Sequence, residues 1–188
     1  MFEKNREIEV RFLEIDKKGL VKKLNLLGAK DLGEDLLEEI IFYDPAFKWR
    51  DTEGKMVRLR KTKTDIFLSY KHHSAATLHG TEEIEFKISD LTKGQEFLER
   101  LGLVSFRHQE KLRHTFKLKE VTLDIDTWPK VPTYVELEGL SEQAIKEAAN
   151  LLGLKWESAV YESAKIVIEK HYNIPVGQMR WFTFKRFE

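Results

Sequence analysis

Charged residues recur at every second position in several short segments of this chain, and the residues between them are almost all aliphatic or aromatic. The first is REIEVRF at residues 6–12, in which Glu7, Glu9 and Arg11 alternate with three apolar residues. Successive side chains of a β-strand point to opposite faces, so such a segment predicts a strand with one charged and one apolar face. The chain must therefore form a sheet that buries its apolar side and keeps charges on the other.

The charged positions form doublets of the same sign on most of the predicted strands. In chain order the doublets are Glu7 and Glu9, Arg58 and Arg60, Glu83 and Glu85, Lys111 and Arg113, Asp124 and Asp126, and Glu136 and Glu138. One interpretation is an ordinary sheet whose charged side faces water. Neighbouring like charges repel each other and add no stability to such a surface, so the pattern favours pairs that recognise ions of the opposite sign.

Each kind of doublet suits a different ion. Carboxylate pairs offer the hard oxygen ligands that Mg²⁺ or Mn²⁺ prefers. Paired Arg and Lys side chains suit phosphate oxygens, and the single cations Arg11, Lys71 and Lys87 continue the same alternation. The sequence therefore predicts a site for a metal–polyphosphate complex.

Hydrophobic periodicity predicts an α+β fold. Helices are predicted over Asp16–Leu27, Asp90–Leu101, Ser141–Leu152 and Ser158–Tyr172. Strands are predicted over Glu7–Phe12, Glu38–Tyr43, Met56–Lys61, Ile66–Lys71, Glu83–Ile88, His108–Lys117, Val121–Asp126 and Tyr134–Glu138. Eight strands can close into an antiparallel β-barrel that holds one small ligand, so we expect a tunnel with a charged interior and with helices packed outside.

The chain is predicted to form a single domain over residues 1–188, since no linker or low-complexity stretch interrupts it. The C-terminal helix and the aromatic tail, about residues 158–188, are too rich in aromatic side chains to stay free in water. We expect this segment to pack on the barrel or on a second subunit, as in a homodimer.

Composition narrows the functional classes. Lysine plus arginine and aspartate plus glutamate both count 32, and a formal net charge of zero argues against a general nucleic-acid binder. The absence of cysteine excludes disulfides and thiolate metal sites.

No apolar run approaches the ~20 residues that cross a membrane, and MFEKNREIE is not a signal peptide, so a cytoplasmic protein without a membrane partner is expected. The pair His72 and His73 is predicted to lie in a surface loop.

Taken in order, these motifs resemble those of the CYTH superfamily, also called triphosphate tunnel metalloenzymes. The family's E-x-E-x-K motif is similar to the stretch from Glu7 to Arg11, with arginine in the place of lysine. The later motifs are similar to Arg58-Leu59-Arg60, Lys71, Glu83-Ile84-Glu85, Lys111-Leu112-Arg113, Asp124-Ile125-Asp126 and Glu136-Leu137-Glu138. The resemblance covers about residues 6–140 and implies an antiparallel eight-stranded tunnel. It also implies a substrate that bears a triphosphate, with a small-molecule triphosphate or nucleotide as the partner.

The resemblance also assigns roles to the charged residues. The phosphate chain would be bound by Arg11, Arg58, Arg60, Lys71, Lys111 and Arg113. Mg²⁺ or Mn²⁺ would be held by carboxylates drawn from Glu7, Glu9, Asp124, Asp126, Glu136 and Glu138. The candidate catalytic residues are Glu83, Glu85 and Lys87, with a carboxylate orienting the attacking water.

Three functions stay open at this point. The first is a metal-dependent triphosphate hydrolase, the second a class IV adenylyl cyclase that makes cyclic AMP and pyrophosphate from ATP, and the third a non-enzymatic nucleotide- or polyphosphate-binding module. The cyclases of the family carry His-Phe before the first motif, whereas Met1 precedes Phe2 here. They also tend to carry a glycine-rich stretch before the last E-x-E motif, and this chain has DTWPKVPTY at that place. These departures favour the hydrolase.

Overall fold

The computed structural model describes residues 6–74, 77 and 81–188, with the side chains of Arg6 and Glu7 outside the description. The strands are β1 Arg6–Glu7, β2 Glu9–Phe12, β3 Lys30–Tyr43, β4 Lys55–Lys61, β5 Ile66–His73, β6 Thr81–Ile88, β7 Val104–Leu118, β8 Val121–Thr127, β9 Tyr134–Glu138 and β10 Trp181–Phe182. The α-helices are α1 Lys17–Leu26, α2 Leu91–Arg100, α3 Glu142–Leu152 and α4 Ala164–Tyr172. A π-helical turn spans Trp49–Glu53, and a 3-10 turn spans Trp156–Ser158.

The strands form a curled antiparallel sheet in the order β1-β6-β5-β4-β3-β7-β8-β9-β2, and β10 adds to β7 in parallel. The two ends of this order belong to neighbouring stretches of chain. β1 pairs with β6 and β2 pairs with β9, and Ile8 alone separates β1 from β2. The N-terminal segment therefore touches both ends of the sheet. The α+β class and the antiparallel sheet predicted from the sequence are confirmed.

The helices cover the apolar face of the sheet. Leu24 of α1 and Ile145 of α3 pack with Val10, Leu123 and Leu137 of the strands in the largest buried cluster. The start of α3 is fixed by the Ser141 side chain, which accepts a hydrogen bond from the backbone N–H of Ala144. Because the apolar side chains take this face, the alternating charged side chains are turned to the other.

Helix α2 and the C-terminal segment cover other parts of the sheet. Leu98 of α2 is buried with Leu59 of β4 and Phe42 of β3. Ile168 of α4 and Phe182 of β10 join a further buried cluster. Within the part of the chain that the structure describes, none of the helices combines the length and the apolar character that a membrane crossing requires.

Several predicted boundaries differ from the structure. β3 begins at Lys30 instead of Glu38, and β7 begins at Val104 instead of His108. The helix predicted from Ser158 begins only at Ala164, because Val160 is extended and exchanges two backbone hydrogen bonds of 2.9 Å with Arg11. The loop predicted for His72 and His73 was wrong, because both residues continue β5 and pair with β6.

Candidate active site

The charged side chains of the strands line a cavity of about 1720 Å³. The predicted site residues that line it are Glu9, Arg11, Arg58, Arg60, Lys71, Glu83, Glu85, Lys111, Arg113, Asp124, Glu136 and Glu138. They come from β2, β4, β5, β6, β7, β8 and β9, and alternation along each strand turns them to the same side of the sheet. The structure thus gathers residues that are up to about two-thirds of the chain apart.

Arg113 is the centre of one group of ion pairs. Its Nη1 lies 2.6 Å from Oδ2 of Asp124, and its Nη2 lies 2.7 Å from Oδ2 of Asp126. Lys111 Nζ lies 2.8 Å from that same Asp126 oxygen. Glu136 completes the group with an oxygen 3.5 Å from Arg113 Nη2. Two basic side chains are therefore held between three carboxylates, and the group is largely buried.

Arg58 and Arg60 form a second group. Arg58 donates to Glu83 at 3.0 Å and to Glu85 at 3.2 Å, and Arg60 donates to Glu85 at 2.7 Å. Lys71 Nζ lies 2.6 Å from Glu83. Two neighbouring carboxylates on β6 thus hold three cations from β4 and β5.

Arg11 joins the carboxylates at the other side of the cavity. Its Nη2 lies 3.1 Å from Glu9 and 2.5 Å from Glu136, and its Nη1 donates to the carbonyl oxygen of Glu162 at 2.7 Å. Burial lowers the pKa of Arg11, but the attraction of Glu136 and Glu9 outweighs it and the pKa is raised. Arg11 Nε is buried without a hydrogen-bond partner among the described residues, so this guanidinium has capacity left for a ligand.

Several cationic groups are destabilised by burial and by each other. Burial, followed by the charge of Arg113, lowers the pKa of Lys111. Burial, followed by the charge of Arg58, lowers the pKa of Arg60. A polyanion in the cavity would relieve both effects, because it would bring negative charge to cations that now crowd each other.

The acidic side shows the reverse effect at Glu138. Desolvation, followed by the charges of Glu136 and Glu9, raises the pKa of Glu138 to about 7. Burial would also raise the pKa of Glu136, but Arg11 and Arg113 hold it well below its usual range. Glu138 makes no ion pair within the described residues. Negative charge is therefore in excess beside Glu138, where a bound cation would lower the electrostatic cost.

The structure does not bring every predicted site residue into the cavity. Lys87 is paired with Asp65 at 2.9 Å, and its side chain is 63% exposed. Asp126 is fully buried behind Arg113 and Lys111 and does not line the cavity. The side chain of Glu7 lies outside the described residues.

Polar residues outside the predicted set also line the cavity, and four of them are Glu39, Gln109, Arg107 and His73. Glu39 is buried and lies 3.4 Å from Arg58. Gln109 Nε2 donates to Glu39 at 2.5 Å, and Arg107 Nε donates to Gln109 at 2.7 Å. Extending the alternation of β7 back from Arg113 through Lys111 would have found Gln109 and Arg107.

His73 is the fourth of these residues. It lines the cavity, and its Nδ1 lies 2.9 Å from the hydroxyl of Thr81. Burial, followed by the charges of Lys71 and Arg11, lowers the pKa of His73 to about 4. The imidazole is therefore neutral at pH 7.

The fit of a divalent cation depends on which partners the carboxylates keep. Among the described residues, no three carboxylate or histidine side chains stand ready as a set of metal ligands, because most of the carboxylates contact Arg or Lys. The donor chemistry does fit Mg²⁺ or Mn²⁺, since Glu9, Glu136 and Glu138 lie close enough for their charges to act on one another. Release of Arg11 would free Oε2 of Glu9 and Oε2 of Glu136.

The fold and the cavity define a class of α+β proteins in which a curled antiparallel sheet presents acidic and basic doublets to one cavity. The chain belongs to the CYTH family: the model of the CYTH domain matches residues 5–172, and the family predicted from the motifs is confirmed. CYTH proteins are in general metal-dependent, and they include adenylyl cyclases and triphosphatases.

Individual relatives differ in the activity that their names carry. A protein of Methanocaldococcus jannaschii with the provisional name adenylate cyclase is 29% identical over 133 residues, which cover 70% of this chain and 75% of the relative. The solved structure of a Pyrococcus horikoshii protein is 26% identical, with a TM-score of 0.70 over 84% of this chain and 96% of that one. A Hippeastrum protein, provisionally named adenylyl cyclase and described as having a dominant triphosphatase activity, is 17% identical, with a TM-score of 0.64 over 88% and 96% of the two chains.

Proposed function

We propose that the chain is a metal-dependent hydrolase that cleaves a triphosphate group inside a charged tunnel. The observation that carries this proposal is the interleaving of carboxylates with Arg and Lys side chains around one cavity. Such a site matches a polyphosphate, which needs cations, and its metal ion, which needs carboxylates. The metal complex of inorganic triphosphate or of an organic triphosphate would engage the cations and the carboxylates of the cavity at the same time.

We propose that the sheet closes into a tunnel through its N-terminal segment. The pairing of β1 with β6 and of β2 with β9 supports closure, because the same short segment then joins both ends of the sheet. A closed wall would exclude bulk water and strengthen the electrostatic interactions within the cavity.

In our proposal, ligand binding is an exchange of partners. Without a ligand, the cations and carboxylates of the cavity balance each other in ion pairs such as Arg11 with Glu136 and Arg58 with Glu83. When a metal–triphosphate complex binds, phosphate oxygens would replace the carboxylates as partners of the cations. The metal ion would replace the cations as the partner of the carboxylates. The exchange keeps the charges of these ion pairs compensated, which is the condition for placing so many charges out of water.

The phosphate chain would be bound by the cations of the cavity, and these would stabilise the charge that develops as the phosphorus–oxygen bond breaks. They are Arg11, Arg58, Arg60, Lys71, Lys111 and Arg113. Glu83 and Glu85 would orient the attacking water and accept its proton once their cations turn to phosphate. Lys87 has no place in this step, because it contacts Asp65 away from the cavity.

The metal ligands would come from the carboxylates of the first motif and of β8 and β9. They are Glu7, Glu9, Asp124, Glu136 and Glu138, with Asp126 holding Arg113 and Lys111 in position. Bound Mg²⁺ or Mn²⁺ would supply charge neutralisation and Lewis acidity at the phosphate oxygens. The cytoplasmic location and the homodimer expected from the sequence stay predictions.

A second candidate function is an adenylate cyclase acting on ATP. The name of the M. jannaschii relative, 29% identical to this chain, favours it. The same cations would hold the triphosphate of ATP, and the ribose 3′-hydroxyl would replace water as the nucleophile at the α-phosphorus.

An assay of products separates these functions. The purified protein is incubated with inorganic triphosphate or with ATP, in Mg²⁺, in Mn²⁺ and in EDTA. We expect orthophosphate from triphosphate with either metal, no turnover in EDTA, and recovery when metal is restored. Cyclic AMP with pyrophosphate from ATP would instead establish the cyclase. Absence of every product, with tight triphosphate binding, would leave a binding module.

A further inference from the structure

Arg107 differs in its partners from the cations predicted to bind phosphate. It lies on β7, lines the cavity and is 3% exposed. Its Nε donates to Oε1 of Gln109 at 2.7 Å, and its Nη1 donates to the carbonyl oxygen of Val176 at 2.9 Å. Both acceptors are neutral, and Nη2 makes no hydrogen bond with the described residues.

The cations predicted to bind phosphate have carboxylate partners. Each of them forms an ion pair: Arg11, Arg58, Arg60, Lys71, Lys111 and Arg113. Lys117 and Lys119 also line the cavity without an ion pair among the described residues, but both are exposed, whereas Arg107 is buried. Among the residues that the structure describes, no carboxylate forms an ion pair with Arg107. A buried charge without a counter-ion is costly, so a guanidinium in this state is a group that an anion would stabilise.

A chain of hydrogen bonds fixes the direction of this guanidinium. Gln109 contacts Arg107 through its oxygen and donates to Glu39 through its nitrogen at 2.5 Å. Glu39 is also the partner of Arg58. Burial raises the pKa of Glu39, but the positive charges of Arg58 and Lys111 outweigh burial and lower the pKa to about 2. Glu39 is therefore charged but is already engaged by Arg58, and the neutral amide lies between it and Arg107.

The position of Arg107 separates it from the basic doublet on the same strand. Arg107, Gln109, Lys111 and Arg113 are alternate residues of β7, and at ~3.4 Å per residue Arg107 lies roughly 13 Å along the strand from Lys111. Its contact with Val176 places it where the segment after α4 borders the cavity. It therefore addresses a different part of the cavity from Lys111 and Arg113.

We propose that Arg107 is a further anion-binding residue of this cavity and that it binds a phosphate oxyanion beside Val176. The inference rests on the proposed function, because the anion is either the far phosphate of the bound triphosphate or free orthophosphate. Nη2 donates to the oxyanion, while Gln109 and Val176 keep the guanidinium in place. Binding of the oxyanion therefore requires the positive charge and the orientation of the Arg107 guanidinium, and not the packing of its side chain.

The test compares Arg107→Gln with a matched control, Arg180→Gln. Arg180 also donates to main-chain carbonyl oxygens, those of Ser105 and Phe106, but it does not line the cavity. After thermal unfolding has shown that each variant folds, the affinities for orthophosphate and for triphosphate with Mg²⁺ are measured by calorimetry at equal ionic strength. We expect Arg107→Gln to weaken one of the two anions at least about tenfold and Arg180→Gln to weaken neither. The anion that is weakened identifies the source of the phosphate.

If Arg107→Gln does not fold, the variants Arg107→Lys and Arg180→Lys provide the same comparison. Arg107→Lys keeps the charge but loses the planar fork, so we expect a severalfold loss for the same anion and none for Arg180→Lys. Equal affinities in the Arg107 and Arg180 variants, or no binding of either anion to the unaltered protein, would overturn the inference. Hydrolysis by the unaltered protein is assayed separately, so that loss of the proposed function and loss of the Arg107 site give different results.

Discussion

Arg113→Met is expected to abolish triphosphate hydrolysis and to lower the free energy of unfolding by about 3–5 kcal/mol, the usual cost of removing one partner from a buried ion pair. The guanidinium contacts Asp124, Asp126 and Glu136. Methionine keeps much of the volume but leaves these carboxylates with less positive charge. Turnover should fall by a hundredfold or more, on the order of losing one strong electrostatic contact in a transition state.

A second variant separates folding from function. Adding Asp124→Asn to Arg113→Met removes the carboxylate whose ion-pair partner was Arg113, so stability should partly return while hydrolysis stays absent. Denaturant unfolding and initial rates of phosphate release, measured below the unfolding temperature of each variant, give the two quantities. Unfolding at the same denaturant concentration as the unaltered protein, with unchanged turnover, would mean that Arg113 belongs to neither the core network nor the site.

Leu59→Asp is expected to prevent folding at 25 °C. Leu59 lies between two cavity cations in the sequence, but it is fully buried on the opposite face of β4 with Phe42 and Leu98. An aspartate there would be an unpaired charge in an apolar cluster, and costs above about 4 kcal/mol are typical of such changes.

The matched control is Leu140→Asp, because Leu140 is 80% exposed. Its effect on the free energy of unfolding should stay within about 0.5 kcal/mol. Circular dichroism and thermal unfolding of both variants give the comparison. A cooperative unfolding transition for Leu59→Asp near that of the unaltered protein would contradict the assignment of the two faces of β4.

Alternation along a strand is a local property, and it was therefore readable from the sequence. It assigned Arg58 and Arg60 to one face of β4 and Leu59 to the other, and the structure has the same arrangement. Alternation predicts the face of the sheet on which a side chain lies, but it does not predict how far along the strand that side chain is from the cavity. Lys87 shares the side of Glu85, yet it lies near the turn that carries Asp65 and contacts that residue instead of the cavity.

Partners across strands could not be read in the same way, because they depend on register. Arg113 lies opposite Asp126 only through the pairing of β7 with β8, which the sequence does not specify. Glu39, Gln109 and Arg107 belong to no doublet of like charge, so the pattern that identified the other residues passed over them. The sequence thus predicted the composition of the site, whereas the ion-pair network required the fold.

The most direct test of the account is the affinity for triphosphate as a function of Mg²⁺, measured at a temperature at which turnover is slow. If a metal–triphosphate complex replaces the internal ion pairs, affinity should be at least about tenfold higher in Mg²⁺ than in EDTA. Triphosphate should raise the affinity for Mg²⁺ by the same factor, as linkage requires, and Glu9→Gln should reduce that coupling. Equal affinity for triphosphate in Mg²⁺ and in EDTA would contradict the exchange of partners on which the proposed function depends.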